Sequence, residues 1–165
     1  MTGLTPGTTY HFRVNATSGS STANGADLIF TTSLSQQQNW RQQNFGTTAN
    51  SGTSADSADY DNDGICNLLE YALNLSPQTA SKLPMNTTVN GGNFEYTYAR
   101  STAAVNAGTG FTVEWNGTLS AASWSSSGVT QTVMSDNGTT QQVKAVIPMN
   151  AASKMFVHLS VTAPP

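Results

Sequence analysis

The sequence predicts a mainly β fold with a small α segment. The expected parts are an N-terminal β-hairpin, two helices flanking an acidic loop, and an antiparallel, sandwich-like β-module. Three observations lead there. Apolar and polar residues alternate in several short runs, the period of a half-buried strand. Two stretches abandon that period and carry helix caps and stops. Only 9% of the residues are charged, against about a quarter in an average domain. Ser, Thr, Asn and Gly take their place, as in many extracellular β proteins. A chain of 165 residues holds one ordinary domain or a few small modules. The pattern divides it into 1–33, 34–78, a linker at 79–92, and 93–165.

In 1–33, Tyr10, Phe12 and Val14 alternate with His11 and Arg13, which predicts a strand. The Ser/Thr/Asn/Gly-rich stretch 17–25 reads as a loop, and Leu28 to Thr32 as a second strand. In 34–46, Ser33 with Gln36 three residues later predicts a helix start. Gly46 stands where a helix-ending glycine belongs, and Trp40 and Phe45 are the expected apolar anchors. Residues 47–58 form a polar loop. Residues 67–75 predict a second helix, with Leu68, Leu69, Ala72 and Leu75 on one face and Ser76-Pro77 as the stop.

The linker is rich in Pro, Thr, Asn and Gly. Beyond it, Phe94, Tyr96 and Tyr98 share one strand face, and Phe111, Val113 and Trp115 another. Asp136-Asn137-Gly138 predicts a tight hairpin between two further strands. Met155, Val157, Leu159 and Val161 are expected to face inward from the last.

Several functions are disfavoured by composition. Six scattered basic residues do not build a surface that tracks phosphates, so nucleic acid is not an expected partner. No run of about 18 apolar residues predicts a membrane span. A single cysteine, Cys66, forms no internal disulfide. The opening MTGLTPGTTY has neither the basic nor the apolar region of a signal peptide, so an extracellular reading implies a further N-terminal portion.

One stretch carries chemistry. Residues 59–70 read DYDNDGICNLLE. Counted as a twelve-residue loop, this places Asp59, Asp61 and Asp63 at positions 1, 3 and 5, Gly64 at 6, Asn67 at 9 and Glu70 at 12. A calcium-sized dication takes six to eight oxygens from such a loop. Ile65 supplies its carbonyl at position 7, Gly64 allows the sharp turn, and Glu70 closes the sphere with two oxygens. Five of the nine acidic residues lie between Asp56 and Glu70, a concentration that repels itself without a counter-ion. The same carboxylates would otherwise cap a helix N-terminus. Cys66 reads as a small buried hydrophobe, and one Cys with two distant His does not make a zinc site.

Three resemblances follow from these residues. LTPGTTY at 4–10, with Tyr10 as a corner tyrosine, then HFRVNAT and ADLIFTTS, resemble strands F and G at the end of a fibronectin type III domain. That likeness implies that the chain begins inside a domain. Trp40, Arg41, Phe45 and Gly46, followed by Asp59 to Leu73 and Pro77, resemble an EF-hand-like calcium linker of large secreted bacterial proteins. The loop is also similar to dockerin and thrombospondin type 3 repeats. Residues 93–163, with FTVEW, Leu119, Trp124 and MFVHLSV, resemble the terminal β-module that often follows this linker. Together they imply the C-terminal region of a secreted, multi-domain, non-catalytic protein.

No catalytic residue is expected. GxSxG and HExxH are absent, and His11 and His158 have no acid partner nearby in sequence. Glu95 and Glu114 would act as a glycosidase pair only on neighbouring strands. Among the aromatics, Tyr96, Tyr98 and Trp115 are expected in the core, and Trp124 is the candidate exposed ring for a polysaccharide partner. The leading expectation is a calcium-binding structural or adhesive module, secreted or at the cell surface, that braces flanking β-domains. Its partners would be those domains or other copies of the chain. Strand exchange through Tyr10, Phe12, Leu28 and Phe30 would then build an extracellular filament or sheath.

Overall fold

A computed structural model describes residues 3–119, 124–149 and 154–165. The chain is mainly β, with antiparallel sheets and short helices. It opens with a two-stranded ribbon, β1 (Thr9–Phe12) against β4 (Leu28–Thr31). The register pairs Tyr10 with Phe30 and Phe12 with Leu28. One face of the ribbon is therefore apolar, with Tyr10 stacked on Phe30 at 5.7 Å. The Thr5 N–H donates to Tyr10 Oη at 2.8 Å.

The stretch expected as a loop folds as a second hairpin, β2 (Asn15–Ser18) with β3 (Ser21–Asn24). All eight residues are exposed, so no apolar alternation marks them. Gly19 makes the turn at φ 61°, a conformation that side chains with a Cβ disfavour.

Helix α1 (Gln36–Phe45) starts two residues later than expected, at Ser35. Ser33 still belongs to the ribbon, where its carbonyl accepts from the Gly7 N–H at 3.0 Å. Ser35 and Gln38 form the reciprocal cap instead, with bonds of 3.1 and 2.9 Å. Gly46 ends the helix in the left-handed region, as expected.

Helix α2 (Asn67–Leu73) is shorter than expected, because Asn74 turns left-handed at φ 58°. The expected stripe was too narrow. Of Leu68, Leu69, Ala72 and Leu75, only Ala72 is fully buried. The helix is covered on two sides, since Tyr71 packs on Trp40 of α1 and Leu73 enters the sandwich core.

The expected linker contains a strand, β5 (Met85–Asn90), paired along its length with β6 (Asn93–Ser101). Gly91 and Gly92 join them at φ 58° and 79°. Two positive φ values are what a type I′ hairpin turn needs. An additional short helix, α3 (Thr102–Asn106), follows, capped by the Ser101 hydroxyl. The rest is β7 (Gly110–Asn116), β8 (Thr130–Asp136), β9 (Thr140–Pro148) and β10 (Phe156–Thr162). The Asp136–Thr139 turn joins β8 to β9, as expected. The turn expected between Leu119 and Trp124 lies outside the described residues.

The sheet order is β5-β6-β9-β8, with β7-β10 as a separate antiparallel pair. Tyr96, Tyr98, Val143, Ala145 and Ile147 of the larger sheet meet Val113 of the pair, with Leu73 from α2. Phe94, Phe111, Trp115, Met155, Val157 and Leu159 line this core. Among the described residues, no helix is long and apolar enough to cross a membrane.

Candidate metal centre

The acidic loop runs between α1 and α2, and both helices shape it. Trp40 and Phe45 of α1 meet edge to face at 5.5 Å. Phe45 packs on Tyr60 of the loop at 5.2 Å, and Trp40 on Tyr71 of α2 at 5.6 Å. This aromatic chain ties the two helices and the loop together, running from buried Tyr71 through part-buried Trp40 and Phe45 to exposed Tyr60.

Within the loop, main-chain N–H groups turn the carboxylates inward. Asp59 Oδ2 accepts from Gly64 at 2.8 Å, and Asp63 Oδ1 accepts from Ile65 at 2.8 Å. The Asp63 N–H points between Asp59 Oδ1 and Asp61 Oδ1, at 3.2 Å from each. Gly64 at φ 91° and Asn62 at φ 62° supply the turn. The outcome is that one oxygen each of Asp59, Asp61 and Asp63 lies within 4.8 Å of the others.

Glu70 and Asn67 stand outside this trio, both fully buried on α2. Neither Glu70 oxygen has a hydrogen-bond partner among the described residues, and neither do Asp61 Oδ2 and Asn67 Oδ1. The Asn67 amide nitrogen is already committed, donating to the Thr53 and Ala55 carbonyls at 2.9 and 2.7 Å. Only its oxygen is free. The Ile65 side chain is buried. Cys66 is half-buried and free.

The electrostatics are adverse without a cation. Burial, and then the charges of Asp61, Asp63 and Asp59, push the Glu70 carboxyl up from 4.5 to about 7. An ionised carboxylate out of water costs several kcal/mol unless it is compensated. The donor set is carboxylate and amide oxygen, with no imidazole or thiolate. Such a set suits a hard divalent cation of the calcium or magnesium type. Asp59, Asp61, Asp63, Asn67 and Glu70 could hold one, and the buried oxygens that lack protein partners are the atoms it would satisfy.

Sequence reasoning counted Asp56 in the acidic cluster but missed its role. Asp56 takes Arg41 Nη2 at 2.5 Å and Gln37 Nε2 at 2.9 Å on one oxygen. Asn50 Nδ2 reaches the other at 3.0 Å. Nothing in the chain pattern pairs 41 with 56, although Arg41 is the one cation in the helix.

Other expected groups fall elsewhere. Glu95 and Glu114 are not neighbours: Glu95 on β6 meets Lys144 at 3.3 Å, and Glu114 on β7 belongs to the other sheet. Both histidines have acid partners that are remote in sequence, His11 with Asp27 at 2.7 Å and His158 with Glu114 at 2.9 Å. Strand pairing across the sheet brings His158 opposite Glu114. Trp124 is not a free ring, since it stacks on His158 at 3.8 Å. Tyr96 and Tyr98 are buried in the core and Trp115 packs against it, as expected. Compared with known proteins, the chain has no matching family model, curated protein or solved structure.

Proposed function

We propose that this chain is a non-catalytic, calcium-braced structural or adhesive module, acting outside the cell or at its surface. The observation that carries the reading is Glu70: a fully buried carboxylate with two unpartnered oxygens, set against three converging aspartates. A calcium ion would take side-chain oxygens from Asp59, Asp61 and Asp63, the Ile65 carbonyl, Asn67 Oδ1 and both Glu70 oxygens. The ion would supply positive charge where the fold concentrates negative charge.

Bracing follows from what the loop touches. Asp63 Oδ2 accepts from the Ser81 N–H at 2.6 Å, and residue 81 leads into β5. Leu73, one turn after Glu70, sits in the sandwich core. An ion at the loop would therefore fix α1 and the sandwich against one another. The low charge of the chain supports an extracellular setting, where calcium near millimolar fills sites of about 10⁻⁴–10⁻³ M.

Thermal unfolding in EDTA and in calcium, followed by circular dichroism, tests this. At a hundredfold excess over its dissociation constant, an ion that binds only the folded chain adds about 2.7 kcal/mol. Glu70→Ala should abolish that gain. No shift in the unmodified chain, with no heat on calcium titration, overturns the proposal.

A second reading rests on the ribbon. Phe12 is 48% exposed, Leu28 54% and Ile29 64%, on two strands that, among the described residues, pair only with each other. A two-stranded sheet is marginal alone, and open edges invite a further strand. Copies exchanging strands there would form a filament. Sedimentation as a monomer across a wide concentration range removes this reading.

A further inference from the structure

We infer that Asp56, which is not a metal ligand, is the positioning residue that sets the loop's affinity, and that Arg41 of α1 holds it in place. The inference rests on the calcium reading above. Arg41 is a buried guanidinium, 4% exposed, and its anionic partner is Asp56 at 2.5 Å. Gln37 donates to the same oxygen at 2.9 Å and Asn50 to the other at 3.0 Å. Asn50 Oδ1 in turn accepts from the Asp56 N–H at 2.7 Å. Both Asp56 carboxylate oxygens and its own N–H are thereby engaged by α1 and by residue 50.

The main chain of the same stretch holds the far side of the site. The Asp56 carbonyl accepts from the Leu68 N–H at 3.0 Å, and the Ala58 carbonyl from the Asn67 N–H at 2.8 Å. The Thr53 and Ala55 carbonyls take the Asn67 side-chain amide. Segment 53–58 is thus a strap with two attachments. Its Asp56 side chain is fastened to α1, and its carbonyls are fastened to the first turn of α2, which carries Asn67 and Glu70. Asp59 follows the strap directly.

The distance between the aspartate trio and Glu70 is therefore set through the strap. A calcium site gains affinity when its oxygens are held in place before the ion arrives. Groups that orient ligands without touching the metal change affinity by about tenfold to a hundredfold when altered. Loosening Asp56 would free the start of α2 from the trio while leaving every ligand in the chain.

The test is isothermal titration of the full chain with calcium chloride, for the unmodified protein, Asp56→Asn, Arg41→Lys and Gln37→Leu, each first checked for a native circular dichroism spectrum. The melting temperature of each is also taken in EDTA and in calcium. Asp56→Asn should weaken calcium by about tenfold to a hundredfold. Arg41→Lys keeps the charge but loses the planar fork, and should fall between the two. Gln37→Leu, which removes one bond to Asp56, should weaken binding least.

A merely structural role would lower the melting temperature equally in EDTA and calcium and leave the affinity unchanged, and that result overturns the inference. Should Asp56→Asn fail to fold, unchanged affinity in both Arg41→Lys and Gln37→Leu overturns it equally. A lack of binding by the unmodified chain is a different failure, because it removes the calcium reading itself.

Discussion

Among the described residues, the largest fully buried side chains of the sandwich are Tyr98, Ile147, Val113 and Val143; those of the helix–loop–helix segment are Glu70, Asn67 and Pro77. The two regions are adjacent and share Leu73, yet the second also buries Gln37, Arg41, Asn67 and Glu70 beside its apolar side chains. Apolar burial contributes about 25 cal/mol per Å² and needs neither a counter-ion nor a particular protonation state. Polar burial is favourable only when each group has a partner. The sandwich therefore has an intrinsic stability, whereas on the proposed calcium reading the loop has a conditional one, dependent on ions and pH.

The largest effect that would sharpen this contrast is a cavity in the sandwich. Ile147→Ala should cost about 2–5 kcal/mol, measured by chemical denaturation, and the loss should be the same in EDTA and calcium. A loss that calcium largely restores would break the comparison.

The next is pH, in EDTA. Glu70 is raised from 4.5 to about 7 in the fold, so between those values the folded chain holds more protons than the unfolded one. Stability must then fall as pH rises through this window. Below it Glu70 is protonated in both states and contributes no penalty. Above it the penalty is complete. Glu70→Gln should flatten the profile of melting temperature against pH, and an unchanged slope would remove Glu70 as its source.

The smallest is a cap. Ser35→Ala removes the acceptor for the Gln38 N–H and should cost about 1 kcal/mol. Hydrogen exchange should place that loss in α1 and the loop and spare β6 and β9. Equal loosening of both would mean that the two regions unfold as one.

Legibility followed the same division. The convergence of Asp59, Asp61 and Asp63 was readable because it is local, one loop of alternate carboxylates. The β8–β9 hairpin was readable because Asn137-Gly138 sits between apolar runs. Strand β5 was missed although Gly91-Gly92 announces a turn, because MNTTVN has too little alternation to stand against a Pro- and Thr-rich background. The hairpin of 15–24 was invisible for a related reason, since none of its side chains is buried. The Arg41–Asp56 pair, and His158 opposite Glu114, depend on packing and register between distant segments, which no local pattern encodes. That Glu70 lacks partners is likewise a property of its surroundings and not of its spacing.

The turn between β8 and β9 has a consequence for the chemical lifetime of the protein. An asparagine followed by glycine loses its amide when the next backbone nitrogen attacks the side-chain carbonyl. Here the Gly138 nitrogen is engaged with Asp136 Oδ1 at 2.8 Å. The Asn137 carbonyl oxygen is held by the Thr139 and Thr140 N–H groups at 3.0 and 2.8 Å. The attacking nitrogen is engaged elsewhere, and the side-chain amide is held in one orientation, in the folded hairpin. Deamidation at Asn137 should thus run on the clock of hairpin opening, and mass-spectrometric ageing of this one residue would record how often the edge of the sheet comes apart.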